Sequence, residues 1–291
     1  MLKKFDITAL GELNIDLILN GICGFPEIGK EIIAQRCTMT LGSSTAIFAA
    51  NAAALGSSVA FLGLVGTDDF GAFIERSLRE RGVDTSMLLH TSEWNSGITV
   101  CMSYDQDRAN VTYPGSMDHM GYEQVKDTDF SRTRHVHISS LFLQEQLRRD
   151  IVPIVKKIKA AGATVSMDTQ WDPSEKWEAP WDELLPLLDV FMPNAQELRA
   201  LTGLKKGKVD TILQKLMHGT LVVTGDITRV YRGPDLHYSG WQTSSFCTPD
   251  ELFGGDEMPF FGGTGKNRLR TGHTPGESRA LLEEHILSVA P

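Results

Sequence analysis

Two acid–amide pairs in this 291-residue chain have a spacing that could do chemistry. Asn14 and Asp16 follow the apolar run Phe5–Leu10, in Gly11-Glu12-Leu13-Asn14-Ile15-Asp16, where polar residues alternate. If the strand continues, these side chains share one face. Polar groups at the C-terminal end of a parallel strand lie where open α/β sheets bind ligands. The plain alternative is a polar strand end beside solvent. Asn194 and Glu197 are the second pair, between the apolar run Leu188–Met192 and a helical pattern. Asn followed three residues later by Glu is also a helix capping box, and that role can coexist with a functional one. Asp168, Gln170 and Asp172 stand at the end of another strand pattern, Thr164–Asp168, again on the ligand side. His135 and His137, two residues apart, could share a metal, but no third ligand stands nearby in the sequence, so none is expected there.

The elements that must position these groups read as alternating strands and helices. Val59–Val65 is short and apolar enough for a buried strand. After the turn Gly66-Thr67-Asp68-Asp69, Phe70, Phe73, Ile74 and Leu78 recur at helical spacing, with Glu75, Arg76, Arg79 and Glu80 opposite. Gly82 then stands where a helix C-cap belongs. Strand, turn, helix and stop make half of a βαβ unit, hence a parallel sheet covered by helices. Gly42–Gly56 reads as a glycine/serine loop feeding an alanine-rich helix, about Leu143 to Ala161 as a long amphipathic helix, and Thr220–Thr224 as a buried strand with a hairpin partner at Thr228–Arg232. Segments at about 17–41 and 97–114 behave differently. They alternate loosely, and the polar turn Asp105-Gln106-Asp107-Arg108 is a hairpin signal. They predict a small antiparallel sheet of their own.

Composition narrows the function class. The apolar share of 41% suits a globular core, and 291 residues suit one α/β domain spanning 1–291. A net charge of −9 argues against a nucleic-acid surface but not against a phosphate ligand, which a local nest of amides can hold. The four cysteines are scattered without a CxxC pair, which predicts reduced thiols and a cytoplasmic protein. No signal-peptide pattern opens the chain, and no apolar run is long enough for a membrane span. Gly262-Gly263-Thr264-Gly265-Lys266-Asn267 fails as a phosphate-binding P-loop, because Phe260 stands at the first glycine position and Asn267 at the Ser/Thr position. There is no G-x-G-x-x-G after a strand either.

The wording of Val59–Ser86, with Gly63, Val65, Gly66, Asp68, Phe70 and Gly71 and then Gly82-Val83-Asp84-Thr85, resembles the ribokinase-like (PfkB) carbohydrate kinases. Leu188–Gly203, with Pro193-Asn194, Glu197 and Leu201-Thr202-Gly203, resembles the same family. The resemblance covers about Lys4–Arg232. It implies a three-layer α/β/α sandwich around a mainly parallel sheet, with the small antiparallel sheet as a lid over the sugar and often a dimer surface. It implies ATP-dependent phosphorylation of a sugar hydroxyl. Asn14 and Asp16, with Gly42 and Ser43, would then face the sugar. Asn194 and Glu197 would organise water around Mg²⁺ and phosphate, and Thr224 and Gly225 would lie near the nucleotide. A nucleoside kinase of the same fold would need an apolar base pocket under the lid.

Departures from the family pattern are specific. Ser43 replaces the second glycine of a pair, Ile47 stands where the family has a sugar-facing Asn, with Asn51 four residues on, and Gln170 replaces another Asn. Ile227 and Val230 occupy the places of further nucleotide-side glycines. The family's G-A-G-D motif, whose aspartate takes the proton from the sugar hydroxyl and whose glycines form an anion hole at a helix N-terminus, is not written here. The nearest object is Phe253-Gly254-Gly255-Asp256, followed by Pro259 and two glycines that resist a helix. Asp256 is thus the candidate base, and 241–291 is atypical. A sugar-binding chain without catalysis, or the product of a truncated or frame-shifted gene, is the alternative expectation.

Overall fold

The computed structural model describes residues 4–104, 107–202, 217–224, 227–232 and 240–242. The chain divides into two compact units, residues 1–184 and 185–291.

In the first unit, strand β1 (Phe5–Leu10) lies between β4 (Val59–Leu62) and β9 (Thr133–Ile138), parallel to both, and β9 pairs in parallel with β10 (Thr164–Met167). All of β1 except Asp6 is buried, which is why it reads as a continuous apolar run rather than an alternating one. Parallel neighbours need long crossovers, and helices supply them. Helix α1 (Ser44–Ala54) packs on β1 and β4, and α4 (Glu145–Ala160) packs on β10. Ala46, Ala49, Ala50 and Ala52 are the buried side of α1, so the small residues let it sit close to the sheet.

The run Val59–Val65 is not one strand. It breaks at Gly63 into β4 and β5 (Leu64–Gly66), and β5 pairs with β6 (Leu89–Thr91) in a separate two-stranded sheet. A methyl at Gly63 would lie 2.7 Å from the Phe61 ring and 2.9 Å from the Gly11 carbonyl oxygen. The chain can turn from one sheet to the other only where no side chain occupies that space. Helix α2 (Asp69–Glu80) follows, buried along Gly71, Ile74, Ser77 and Leu78.

The small lid sheet expected from the sequence is present, with order β3-β2-β7-β8 for β2 (Asn14–Asn20), β3 (Arg36–Leu41), β7 (Gly97–Ser103) and β8 (Arg108–Tyr113). Its two outer pairs are antiparallel, while the central β2–β7 pair is parallel. That central pair joins segments separated by β3, α1, β4, β5, α2 and β6, a connection long enough to return the chain in the same direction.

In the second unit, β11 (Val190–Phe191) pairs in parallel with β12 (Thr220–Val223), and β12, β13 (Ile227–Arg232) and β14 (Gly240–Gln242) continue antiparallel. The hairpin partner expected after Thr220–Thr224 is β13. Helix α6 (Ala195–Thr202) leaves from the end of β11. Residues 243–291 lie outside the described residues.

Candidate functional site

Asn14 and Asp16 sit at the start of lid strand β2, not at the end of β1. The chain leaves the large sheet at Gly11, turns through Glu12 and Leu13, and pairs again with β3 and β7. The two side chains still share a face. Asn14 Nδ2 donates to Asp16 Oδ1 at 3.0 Å and to Thr99 Oγ1 at 2.9 Å, and Thr99 Oγ1 lies 3.0 Å from Thr112 Oγ1. Asp16, Asn14, Thr99 and Thr112 therefore form one polar strip across β2, β7 and β8. The two threonines were not read from the sequence. Only the strand register, which sets Asp16 opposite Thr99 and Thr99 opposite Thr112, brings them in.

Gly42 belongs to the same place. Its amide donates to the Asn14 carbonyl at 3.0 Å, and a methyl on it would lie 2.3 Å from Asp16 Oδ1 and 2.8 Å from Asn14 Nδ2. The glycine gives the aspartate its room. Ser43, next in line, has φ 69°, a conformation that favours glycine. Its hydroxyl donates to the Glu12 carbonyl at 2.6 Å and accepts from the Ala46 amide at 2.9 Å, capping α1. Those bonds hold a non-glycine residue in the left-handed region, which costs about 1–3 kcal/mol when unsupported.

Burial pushes the Asp16 carboxyl above its ordinary value, against the Asn14 hydrogen bond and the nearby Arg108 charge, with Glu12 adding repulsion. Among the described residues no hydrogen bond reaches Asp16 Oδ2. A half-buried carboxylate with one oxygen left over, beside an amide and two hydroxyls, can accept hydrogen bonds from a polyhydroxylated ligand.

The turn Gly66-Thr67-Asp68-Asp69 is a clasp at the base of the lid. Asp68 caps α2 by accepting from the Gly71 amide at 2.8 Å, and it accepts from the Ser96 amide and hydroxyl, each at 2.8 Å. Ser96 Oγ in turn accepts from the Gly66 amide at 2.9 Å. A methyl on Gly71 would meet the Gly66 carbonyl oxygen at 2.0 Å. Burial opposes ionisation of Asp68, but its backbone and hydroxyl donors win and hold the carboxyl below its ordinary value. Ser96 leads into β7, whose Gly97 pairs with Asn14. The motif thus fixes the lid strand that carries Thr99.

The remaining candidates of this unit bond to their own surroundings. His135 Nδ1 and Nε2 lie 2.7 Å from Thr164 Oγ1 and Ser166 Oγ, and His137 Nδ1 lies 2.8 Å from Ser166 Oγ. Burial, helped by the His135 charge, pushes His137 down to about 3, so the imidazole is neutral at physiological pH. Among the described residues no group of three His, Cys, Asp or Glu could hold a metal. Asp172 organises its own loop, accepting from the Ser174 amide at 2.8 Å and the Trp177 amide at 2.7 Å. Asp168 Oδ1 accepts from the Gln170 amide at 3.2 Å, and Gln170 has φ 54°.

In the second unit, Asn194 and Glu197 make the capping box their spacing predicts. Asn194 Oδ1 accepts from the amides of Gln196 at 2.8 Å and Glu197 at 2.9 Å, and Glu197 Oε2 accepts from the Asn194 amide at 2.8 Å. Thr224 is brought beside them: its amide donates to the Pro193 carbonyl and its carbonyl accepts from the Ala195 amide, each at 3.0 Å. Glu197 is buried and Asn194 half-buried. Asn194 Nδ2 makes no hydrogen bond among the described residues, so an amide donor and a carboxylate stand together at one helix N-terminus. That donor set suits a phosphate with hydrated Mg²⁺. Gly225 and Asp256 lie outside the described residues.

Comparison with known proteins supplies the family. Residues 4–226 match the family described as pfkB family carbohydrate kinase. The chain is 25% identical over 201 residues to a ribokinase of Haemophilus influenzae, covering 68% of this chain and 63% of that protein. It is 29% identical over 216 residues to a fructokinase of Escherichia coli, covering 68% of this chain and 69% of that one. Among solved structures, a fructokinase with bound ATP from Xylella fastidiosa superposes with a TM-score of 0.69 at 25% identity, covering 86% of this chain and 77% of that chain. The chain spans about half to two thirds of the length of the curated relatives it matches. With a match over residues 4–226 and the ribokinase-like α/β fold in both sequence and structure, this chain belongs to the pfkB family of carbohydrate kinases.

Proposed function

We propose that this protein is a sugar kinase, transferring a phosphoryl group from ATP to a sugar hydroxyl. The observation that carries this reading is the strip of Asp16, Asn14, Thr99 and Thr112 against Gly42, a row of hydroxyl-binding groups with an acceptor oxygen to spare. Asp16 accepts hydrogen bonds from sugar hydroxyls through Oδ2, and Asn14 sets the orientation of that carboxylate. The lid sheet excludes water, which would otherwise compete for the phosphoryl group.

When bound, ATP with Mg²⁺ supplies the phosphoryl group and neutralises its charge. Asn194 and Glu197 would hold the phosphate and the hydrated Mg²⁺, and Thr224 and Gly225 would border the nucleotide. Asp256 takes the proton from the attacking hydroxyl at its carboxylate. Because phosphoryl transfer depends on positioning and charge stabilisation, these groups act by geometry more than by covalent chemistry.

Two finer points belong to the same proposal. The lid bears exposed apolar side chains, with Phe25, Ile28 and Ile33 in the β2–β3 connection and Met39, Val111 and Tyr113 on its strands, and a second copy of the chain would cover them. The cytoplasm is the compartment that suits the free thiols of Cys23, Cys37 and Cys101. Among the described residues no helix is long and apolar enough to cross a membrane.

The test is ATP turnover with Mg²⁺ against free and phosphorylated sugars, fructose and ribose first, with Asp16→Asn and Asp256→Asn alongside. The expected result is turnover with at least one sugar, a raised sugar KM in the first variant and a collapsed kcat in the second. Sugar-dependent thermal stabilisation without turnover would replace catalysis by binding alone.

A further inference from the structure

Glu12 is the buried acid that the sugar-facing groups do not use. It is 2% exposed, in the turn between β1 and β2. Its Oε1 accepts from Ser44 Oγ at 2.8 Å and from the Thr45 amide at 3.3 Å, and its Oε2 accepts from the Thr45 hydroxyl. Its own carbonyl accepts from Ser43 Oγ. All four bonds go to the loop and first turn that open α1, where unpaired amides and the helix dipole favour a carboxylate. Gly11 makes the approach possible, since a methyl there would lie 2.4 Å from Thr45 Oγ1.

The contact continues outward. Ser44 has one hydroxyl proton. Once that proton is donated to Glu12, the hydroxyls of Ser139 and Ser140, at 2.8 and 2.9 Å, can only donate to Ser44. Both serines follow β9, and their carbonyls accept from Gln144 Nε2 at 2.9 and 3.2 Å. Glu12 thereby joins the β1–β2 turn, the start of α1 and the end of β9. The residue immediately before this loop, Gly42, touches Asp16.

We infer that Glu12 is a positioning residue for sugar recognition: its carboxylate pins Ser44 and Thr45 at the start of α1, and so holds the adjoining Gly42 against the Asn14–Asp16 pair. The inference rests on the sugar-kinase reading for its kinetic arm only. Its structural arm, the fixing of the 42–46 loop by one carboxylate, stands by itself.

The experiment uses the full chain with Glu12→Ala, Glu12→Gln and Ser44→Ala. Steady-state kinetics on the best sugar gives KM for sugar and for ATP separately. Hydrogen exchange compares the 42–48 segment with α2 as an internal control. Loss of hydrogen bonds to a buried carboxylate predicts a sugar KM raised about tenfold in Glu12→Ala, with KM for ATP unchanged. Exchange should quicken in 42–48 and not in α2. Glu12→Gln should recover part of both effects, since it keeps an acceptor for Ser44 and the Thr45 amide, and Ser44→Ala should show a smaller rise. Unchanged sugar KM and unchanged exchange in 42–48 would overturn the inference. So would both KM values rising together with quickened exchange throughout, which is a general loss of structure. If Glu12→Ala does not fold, Ser44→Ala and Glu12→Gln decide by the same two readouts. Wild-type protein inactive on every sugar would count against the kinase reading, and the exchange comparison would still decide the role of Glu12.

Discussion

The two acid–amide pairs use nearly the same residue types and do different things with them. Asn194 and Glu197 stand at a helix N-terminus, where Asn194 Oδ1 takes two backbone amides and Glu197 Oε2 takes a third. Asn14 and Asp16 stand on a strand, where the ladder already pairs the backbone amides, so their side chains bond to each other and to Thr99, with one further bond from Asn14 Nδ2 to the Ile15 carbonyl. A helix end has orphan amides that draw in nearby carbonyls and carboxylates. A strand has none to spare, and its polar side chains stay available to a ligand. The same difference appears among the aspartates. Asp68 and Asp172 accept backbone amides and are held below the ordinary carboxylate range, whereas half-buried Asp16, with only a side-chain amide, is pushed above it.

The sharpest way to break this contrast is to crowd the strand pair. Gly42→Ala places a methyl where Asp16 Oδ1 now lies, and a displacement of that order should raise the sugar KM roughly 100-fold. Steady-state kinetics with KM for ATP as the internal reference reads it, and an unchanged sugar KM would mean that Asp16 does not face the sugar.

Next in size is Glu197→Gln. Glutamine serves a capping box as well as glutamate does, so the melting temperature should hold. If the carboxylate also orders water on Mg²⁺, kcat should fall about tenfold and the Mg²⁺ requirement should rise. Both unchanged would leave Glu197 a cap alone.

Smaller again is Asp68→Ala, which removes a cap and the Ser96 clasp and should cost about 1–2 kcal/mol in urea unfolding. The folded Asp68 carboxyl titrates below its unfolded value. Its stabilisation is therefore present above the unfolded pKa and lost as pH falls through the folded pKa, so the gap between wild type and variant should close toward acid.

The least effect is expected from Asp16→Asn on stability, and its sign is the informative part. Burial raises the folded Asp16 pKa, so ionising it disfavours the fold, fully above that raised pKa and not at all below the unfolded one. The variant should melt slightly higher at neutral pH while binding sugar worse, and a lower melting temperature would place Asp16 among the structural acids.

Much of the fold was legible because its signals are local. Phe5–Leu10 is β1 residue for residue, and α2 ends just before Gly82, where a helix stop was expected. The long amphipathic pattern near Leu143–Ala161 is α4, and the capping spacing of Asn194 and Glu197 is realised. What misread was the path between sheets. Val59–Val65 looks like one strand because a buried apolar run carries no mark of a change of sheet, and Gly63 shows its purpose only against Phe61 and Gly11. Glu12 had a signal, its place in the alternation with Asn14 and Asp16, but its partners lie more than thirty residues on.

The sequence by itself determined the family, the alternation of strands and helices, and which acids and amides stand at element ends, since periodicity, caps and motif spacing are properties of neighbouring residues. Tertiary structure alone decided that Thr99 and Thr112 extend the Asn14–Asp16 pair, that Gly42 is shaped by Asp16, and that Thr224 meets Asn194. Those partners are set by strand register and by the close approach of backbones, and neither is written in the spacing of a single segment.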